Sequence, residues 1–191
     1  MSRFIAFLRA INARPDRAVK MEFLRRVFES LHFSDVATFI GSGNVVFKTS
    51  AKNPRVLEKR IEKGLRRALG YEVAAFVRTD TELAKIVNCR QFRQSEADGR
   101  DFNIILLAEA QGEDLRCKLM ALKKDTDDFS VHGREIYWLR RKKQDGGGFS
   151  SVPLERTLGV PFTIRGGKTI KKLALEYASN AAGIESIVKS R

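Results

Sequence analysis

The sequence predicts a protein of the α+β class in which the element order β-α-β-β-α-β occurs twice. Three observations predict it. Each half opens with an apolar run typical of a buried strand, continues with an amphipathic helical stripe, and then has two β-prone runs joined by a short turn. The chain has 191 residues, of which 43 % are hydrophobic and 13 are Phe, so it can build a sizeable core.

The first half, residues 1–80, begins with a strand followed by a helix. Residues 3–10 are apolar on both faces, which is typical of a central strand that is covered on both sides. A polar loop over residues 11–20 leads into the helix, which we expect from apolar residues at helical spacing. These are Met21, Leu24, Val27, Phe28 and Leu31.

A hairpin, a second helix and a strand complete this half. The β-prone runs 36–40 and 45–47 flank Gly41-Ser42-Gly43-Asn44, whose residues tolerate positive φ and so favour a turn. The second helix begins at Pro54, which suits a first helical turn, and ends at Gly70. Residues 73–77 are predicted to form the last strand.

Residues 81–100 are predicted to link the two halves. They contain a helix over residues 81–87 and then a polar stretch, residues 90–100, for which the pattern predicts no further element.

The second half, residues 101–191, repeats the order. A buried strand is predicted over residues 102–108 and a helix follows through Leu115, Leu119 and Leu122. A hairpin is then expected over 128–139, turning at His132-Gly133-Arg134. The remaining elements are a short helix over 151–158, a strand over 162–164 and a C-terminal helix over 170–178.

This order is that of the ferredoxin-like split βαβ unit, and its occurrence twice strengthens the prediction. No residue-level repeat accompanies it, so the duplication is one of pattern.

The charge is strongly positive. The sequence has 36 Lys and Arg against 23 Asp and Glu, a net charge of +13, which attracts polyanions such as nucleic acid. One basic segment is a helix face with Arg55, Lys59, Lys63, Arg66 and Arg67, where Glu58 and Glu62 interleave, so a solvated surface is the favoured interpretation. The other is the loop Arg140, Arg141, Lys142 and Lys143 beside three glycines, for which nucleic-acid binding and a merely solubilising role are equally expected.

Compartment and metal content follow from the rarer residues. Cys89 and Cys117 have no close-spaced partner and His32 and His132 are isolated, so we expect reduced thiols, a cytoplasmic protein and no metal site. Arg9 interrupts the opening apolar run after a few residues, and no later segment approaches a membrane span.

The segment from Ile164 to Thr169 is a candidate anion site, because glycines and a helix N-terminus let backbone N–H groups approach an anion. Lys168 and Thr169 resemble the end of a phosphate-binding loop, but Phe162 stands where that motif needs glycine, and Thr169 as a helix N-cap is favoured. We expect no cofactor. RNA stacking on Phe7 and Phe47 is a further alternative, with core packing favoured.

Several segments together resemble the bacterial domain of unknown function family 1697. These are Leu8-Arg9-Ala10-Ile11-Asn12, Ser42-Gly43-Asn44-Val45-Val46-Phe47, Gly133 to Leu139, and Leu158 to Thr169. The resemblance implies a cytosolic protein with a duplicated ferredoxin-like layout and implies no activity. The family usually has glycine at position 10, a Gly-Gly pair where Ala13-Arg14-Pro15 stands, glutamine at Gly41 and Asn-Trp-Asn where Gly166-Gly167-Lys168 stands.

Two functions from different classes fit the sequence. The first is a binding module for nucleic acid or another polyanion, and the second is a small enzyme acting on a phosphorylated or anionic metabolite. An adaptor that uses a sheet edge is a third interpretation. The candidate ligand-binding residues are the polar loop residues Arg9, Asn12, Ser42, Asn44, Arg165, Lys168 and Thr169. The sequence leaves the ligand, the oligomeric state and the convergence of these loops open, and ordinary turn and cap roles are at least as well supported.

Overall fold

The computed structural model describes residues 1–12, 18–39, 43–97, 101–122, 127–140 and 152–178. The chain divides into two compact units. The first comprises Met1–Lys85 with the part of the chain that begins at Lys172, and the second comprises Ile86–Lys171. The described residues form seven helices and two four-stranded antiparallel sheets, an α+β fold.

The first unit has the predicted β-α-β-β-α-β order. Its elements are β1 (Ser2–Leu8), α1 (Met21–Ser30), β2 (Ser34–Phe39), β3 (Asn44–Thr49), α2 (Pro54–Leu69) and β4 (Ala75–Thr79). The strand order in the sheet is β2-β3-β1-β4, with every neighbouring pair antiparallel. This is the order of the ferredoxin-like unit, in which each βαβ crossover skips one strand.

Local signals fix α2, the longer helix of this unit. Asn53 caps it by accepting a hydrogen bond from the Arg55 backbone N–H at 2.9 Å, and Pro54 occupies the first helical position. Gly70 ends the helix with a φ of 78°, in the left-handed region.

Both faces of the first sheet are buried, as the two-sided apolar run of β1 predicts. One face carries the main core with α1 and α2, which includes Phe4, Leu24, Phe47 and Ile61. The predicted core role of Phe47 is confirmed, because the side chain is fully buried and its ring centroid lies 4.4 Å from that of Phe33. The other face presents Ile5, Phe7, Val46, Phe76 and Arg78, each at most 2 % exposed.

Strand β4 lies at the edge of this sheet, and its outward N–H groups are bonded to carboxylates. The N–H of Ala75 donates to Glu62 at 3.0 Å, and that of Val77 donates to Glu58 at 2.8 Å. The next alternate N–H, that of Thr79, donates to Glu82 at 2.8 Å. An unpaired edge strand would expose these donors to another chain, so the three glutamates protect the edge.

Two helices link the sheets, α3 (Asp80–Asn88) and α4 (Arg90–Ala97). The prediction of a polar stretch without an element over residues 90–100 is wrong for the first eight of them. Phe92 is 2 % exposed and meets the Phe102 ring edge-to-face at 4.9 Å, so one aromatic anchor holds an otherwise polar helix.

The second unit repeats the topology. Its elements are β5 (Asp101–Leu107), α5 (Glu113–Ala121), β6 (Asp127–His132), β7 (Glu135–Arg140), α6 (Val152–Leu158), β8 (Phe162–Gly166) and the start of α7 (Gly167–Tyr177). The sheet order is β6-β7-β5-β8, again antiparallel throughout. Ile105, Leu119, Trp138 and Leu158 belong to its core. None of the helices in the described ranges carries an apolar stretch long enough to span a bilayer.

Candidate functional site

The β1–α1 loop and the turn between β2 and β3 meet at one end of the first sheet. The N–H of Leu8 donates to the carbonyl of Gly43 at 2.8 Å. A β-carbon added at Gly43 would lie 2.6 Å from Cγ2 of Ile11 and 3.3 Å from Cβ of Leu8. Gly43 also has a φ of 73°, so both space and backbone conformation require glycine here. The structure therefore brings two of the predicted segments together.

The two asparagines of this site hold backbone in place. Oδ1 of Asn12 accepts from the Val19 N–H at 2.8 Å and its Nδ2 donates to the Val19 carbonyl at 3.4 Å, which closes the loop. Asn44 is fully buried at the start of β3, and its Nδ2 donates to the Phe39 carbonyl at 3.2 Å. These bonds are the turn roles expected as the alternative to ligand binding.

Two further candidate residues, Arg9 and Ser42, belong to the segments at this end of the sheet. Arg9 is half-buried, and its backbone N–H donates to the Ala74 carbonyl at 2.9 Å. Ala10 has a φ of 52°, in the left-handed region that glycine adopts without strain. Ser42 lies outside the described residues.

Arg165 lies inside strand β8, whereas the sequence placed it in a loop. It is 8 % exposed, and its Nη1 donates to the Thr163 hydroxyl and to the Ile164 carbonyl, both at 2.8 Å. Burial lowers the pKa of Arg165 to about 10, because the apolar surroundings disfavour the charged form.

The predicted N-cap role of Thr169 is wrong, because α7 begins at Gly167 and Thr169 is its third residue. A β-carbon at Gly167 would lie 3.0 Å from the Phe102 carbonyl oxygen, so this glycine serves the close approach of the helix to β5. Lys168 is exposed and Thr169 is half-buried.

The predicted nucleic-acid loop begins at Arg140, the last residue of β7. Arg140 is the cross-strand partner of Asp101 on one side and of Asp127 on the other. Two flanking carboxylates reduce the positive potential that Arg140 presents. Arg141, Lys142 and Lys143 lie outside the described residues.

The predicted ligand-binding residues lie in different units. Arg9, Asn12 and Asn44 belong to the first unit, and Arg165, Lys168 and Thr169 belong to the second. That these loops form one cleft stays a prediction.

The outer face of α2 is more basic than its sequence indicates. The expectation that glutamates interleave with its surface cations is wrong, because Glu58 is fully buried and Glu62 is half-buried, and both bind β4. The exposed residues of this face, which we name the α2 cationic face, are Lys59, Lys63, Arg66 and Arg67.

Few carboxylates neutralise the α2 cationic face. Arg66 pairs with Glu72 at 3.2 Å, but both side chains are mostly exposed, and such pairs contribute little. In the part of the chain that the structure describes, Lys59, Lys63 and Arg67 make no ion pair.

Arg78 is a second buried arginine, which the sequence patterns did not predict. It is fully buried in β4, and its Nη1 donates to the Val77 carbonyl at 3.0 Å. Arg78 is the register partner of Ile5 in β1, as Arg165 is of Ile104 in β5, so the two arginines occupy equivalent positions of the two units. A comparison of Val77-Arg78-Thr79 with Ile164-Arg165-Gly166 is the signal that could have found it.

Comparisons with known proteins agree with this architecture. The model of a protein family of unknown function, DUF1697, matches residues 1–137. The solved structure of the conserved bacterial protein SP0830 from Streptococcus pneumoniae is similar, with a TM-score of 0.68 and 20 % sequence identity, over 93 % of this chain and 98 % of that chain. At this identity the likeness shows the fold alone. No curated protein matches the sequence.

Proposed function

The chain belongs to the DUF1697 family, whose description gives no function, and we propose that this member binds nucleic acid through the α2 cationic face. The observation that carries the proposal is that α2 turns its two central glutamates toward β4, while the four cations of the α2 cationic face are exposed to solvent. A net charge of +13 adds a long-range attraction of the same sign.

The spacing of the cations suits a phosphate backbone. Lys59, Lys63 and Arg67 follow each other at four-residue intervals, and Arg66 lies beside them, so all four project from one side of the helix. At 1.5 Å per residue the four span about 12 Å. A nucleic-acid strand has one phosphate per about 3.4 Å of helix axis, so roughly four phosphates lie along that distance.

The mode of binding is electrostatic. Lysine and arginine contacts to phosphates release counterions and do not depend on base sequence. The Phe7 and Phe47 rings are fully buried, so neither can stack on a base. The proposal is therefore sequence-independent binding that weakens steeply as salt is added.

The test is a salt titration of oligonucleotide binding with two charge-matched variants. The first variant combines Lys59→Gln, Lys63→Gln and Arg67→Gln. The control combines Arg116→Gln, Lys118→Gln and Arg156→Gln, which are exposed cations on α5 and α6, so both variants lose the same charge. Fluorescence anisotropy gives the affinity of each protein for single-stranded and double-stranded DNA.

The expected slopes follow from four phosphate contacts. For single strands the slope of log K against log salt is about −2.8, so raising salt from about 50 to about 200 mM weakens wild-type binding about 50-fold. One remaining contact leaves a slope of about −0.7 and a change of about threefold in the α2 variant. The control variant keeps the wild-type slope. Equal slopes in the two variants, or no wild-type binding at about 50 mM salt, contradict the proposal.

A further inference from the structure

A polar cluster on the β6–β7 hairpin of the second unit contains a serine and a histidine in direct contact. Ser130 and His132 are two residues apart in β6, so they project from the same face of the sheet. Their neighbour Phe129 points the other way, into the core. Oγ of Ser130 lies 2.8 Å from Nε2 of His132.

Gln91 of α4 lies beside both members of this pair. Its Nε2 lies 3.2 Å from Oγ of Ser130 and 3.4 Å from Nε2 of His132, and an amide nitrogen only donates. In the tautomer that carries its hydrogen on Nδ1, Nε2 of His132 is an acceptor. Gln91 then donates to Ser130, and Ser130 donates its own hydrogen to Nε2 of His132.

The hairpin holds the imidazole in place. The His132 ring packs against the ring of Tyr137, with centroids 5.1 Å apart, and Tyr137 is the cross-strand partner of Ser130. Glu135 is the cross-strand partner of His132, which places the two β-carbons about 5 Å apart. A serine, a histidine and a carboxylate thus occur within one two-stranded segment.

The cluster is open to small molecules. His132 is exposed, and Ser130 and Gln91 are half-buried. A serine hydroxyl that donates to a neutral imidazole is the arrangement that makes serine a nucleophile, since the base removes the proton as the oxygen attacks.

We propose that Ser130 is a nucleophile for activated esters, with His132 as its general base and Gln91 as a positioning residue. The Ser130 oxygen forms a bond to the acyl carbon, its proton passes to Nε2 of His132, and the bond to the leaving alcohol breaks as that proton is transferred to it. Water then attacks the acyl carbon as His132 accepts the water proton. The bond from that carbon to Oγ of Ser130 breaks as the proton passes from His132 to Oγ, and the carboxylic acid is released.

The open site determines the substrate class. A half-exposed cluster on a hairpin offers little surface for binding a large acyl chain, so we expect small esters with good leaving groups, such as aryl acetates. This activity does not involve the α2 cationic face.

The test is covalent labelling of the full chain with a fluorophosphonate probe, followed by peptide mapping by mass spectrometry. We expect one adduct per chain, on Ser130, and none in Ser130→Ala. His132→Gln should lower the labelling rate about 100-fold or more, because general-base assistance contributes at least that much. Hydrolysis of p-nitrophenyl acetate should be faster in the wild-type protein than in either variant.

Ser30 provides the matched control. It is an exposed serine of α1 whose hydroxyl hydrogen is donated to the Val27 carbonyl at 2.7 Å and not to an imidazole. Ser30 should stay unlabelled, and Ser30→Ala should leave labelling unchanged. The wild-type map does not depend on the folding of any variant. An unlabelled protein, an adduct on another residue, an unchanged rate in His132→Gln, or equal hydrolysis by wild-type protein and Ser130→Ala would overturn the proposal.

Discussion

Replacing Gly43 with alanine tests whether the glycine of the Ser42-Gly43-Asn44 segment is there for structure. The residue has a φ of 73°, and its missing β-carbon would lie 2.6 Å from Cγ2 of Ile11. Both features oppose a side chain, and both belong to the junction where the β1–α1 loop meets the β2–β3 turn. Gly43→Ala should therefore destabilise the first unit.

The expected loss in the free energy of unfolding has two parts. Positive φ costs an alanine about 1 kcal/mol. Forcing a methyl group against Ile11 and Leu8 adds about 1–3 kcal/mol, the usual range for overpacking. The sum, about 2–4 kcal/mol in the free energy of unfolding, corresponds to a fall in Tm of roughly 4–16 °C for a chain of this size.

Gly70 separates the two parts, since its φ is 78° and no atom lies within 4 Å of an added β-carbon. Gly70→Ala should cost only the backbone part, about 1 kcal/mol. In an Ile11→Ala background the 2.6 Å contact disappears and only the 3.3 Å contact with Leu8 remains, so Gly43→Ala should cost less than in the wild-type background and approach the cost of Gly70→Ala. Urea unfolding followed by circular dichroism gives all of these values. The reasoning is refuted if Gly43→Ala costs no more than Gly70→Ala in the wild-type background.

Two further predictions concern other parts of the fold. Glu58→Gln should lower the free energy of unfolding by about 1–3 kcal/mol in the same urea assay, because the fully buried Glu58 carboxylate accepts from the Val77 N–H and pairs with Arg55. Glu72→Gln, which removes one partner of an exposed ion pair, should have almost no effect. Similar losses in the two variants would contradict this prediction. Iodoacetamide should alkylate Cys117 before Cys89 at about pH 8. Cys117 is exposed, whereas burial raises the pKa of the Cys89 thiol and so lowers its thiolate fraction. Peptide masses recorded over time give the order of modification, and faster modification of Cys89 would contradict the prediction.

The duplicated fold could be predicted because its signals are local. The type of each element can be read from the spacing of its apolar residues, as in the run of residues 3–10, the helical stripe from Met21 and the two hairpins. The order of these elements then specifies the ferredoxin-like unit. Helix α4 could not be predicted in this way. Among the described side chains of α4 only Phe92 is buried, and a single anchor leaves no period to read, so tertiary contact with Phe102 determines the helix.

The polar clusters could not be predicted because their contacts are distant in sequence. Gln91 lies 39 residues from Ser130, and nothing in either segment indicates the contact. The sequence also placed His132 in the hairpin turn, whereas β6 continues through His132 and the turn consists of Gly133 and Arg134 alone. That one-residue difference determines whether His132 can contact Ser130, because residue 132 shares a face of the sheet with Ser130 only if it belongs to the strand.

The distribution of charge, more than its total, is what the fold adds to the sequence. Arg78 and Arg165 are buried, and Arg140 lies between two aspartates, so these cations are poorly placed to meet a polyanion. The cations of the α2 cationic face are exposed because the glutamates of the same helix bind the neighbouring strand. Edge strand β4 needs acceptors for its outward N–H groups, and α2 supplies Glu58 and Glu62. Because those carboxylates bind the sheet edge, the α2 cationic face is exposed to solvent with only the exposed Arg66–Glu72 ion pair among its described residues.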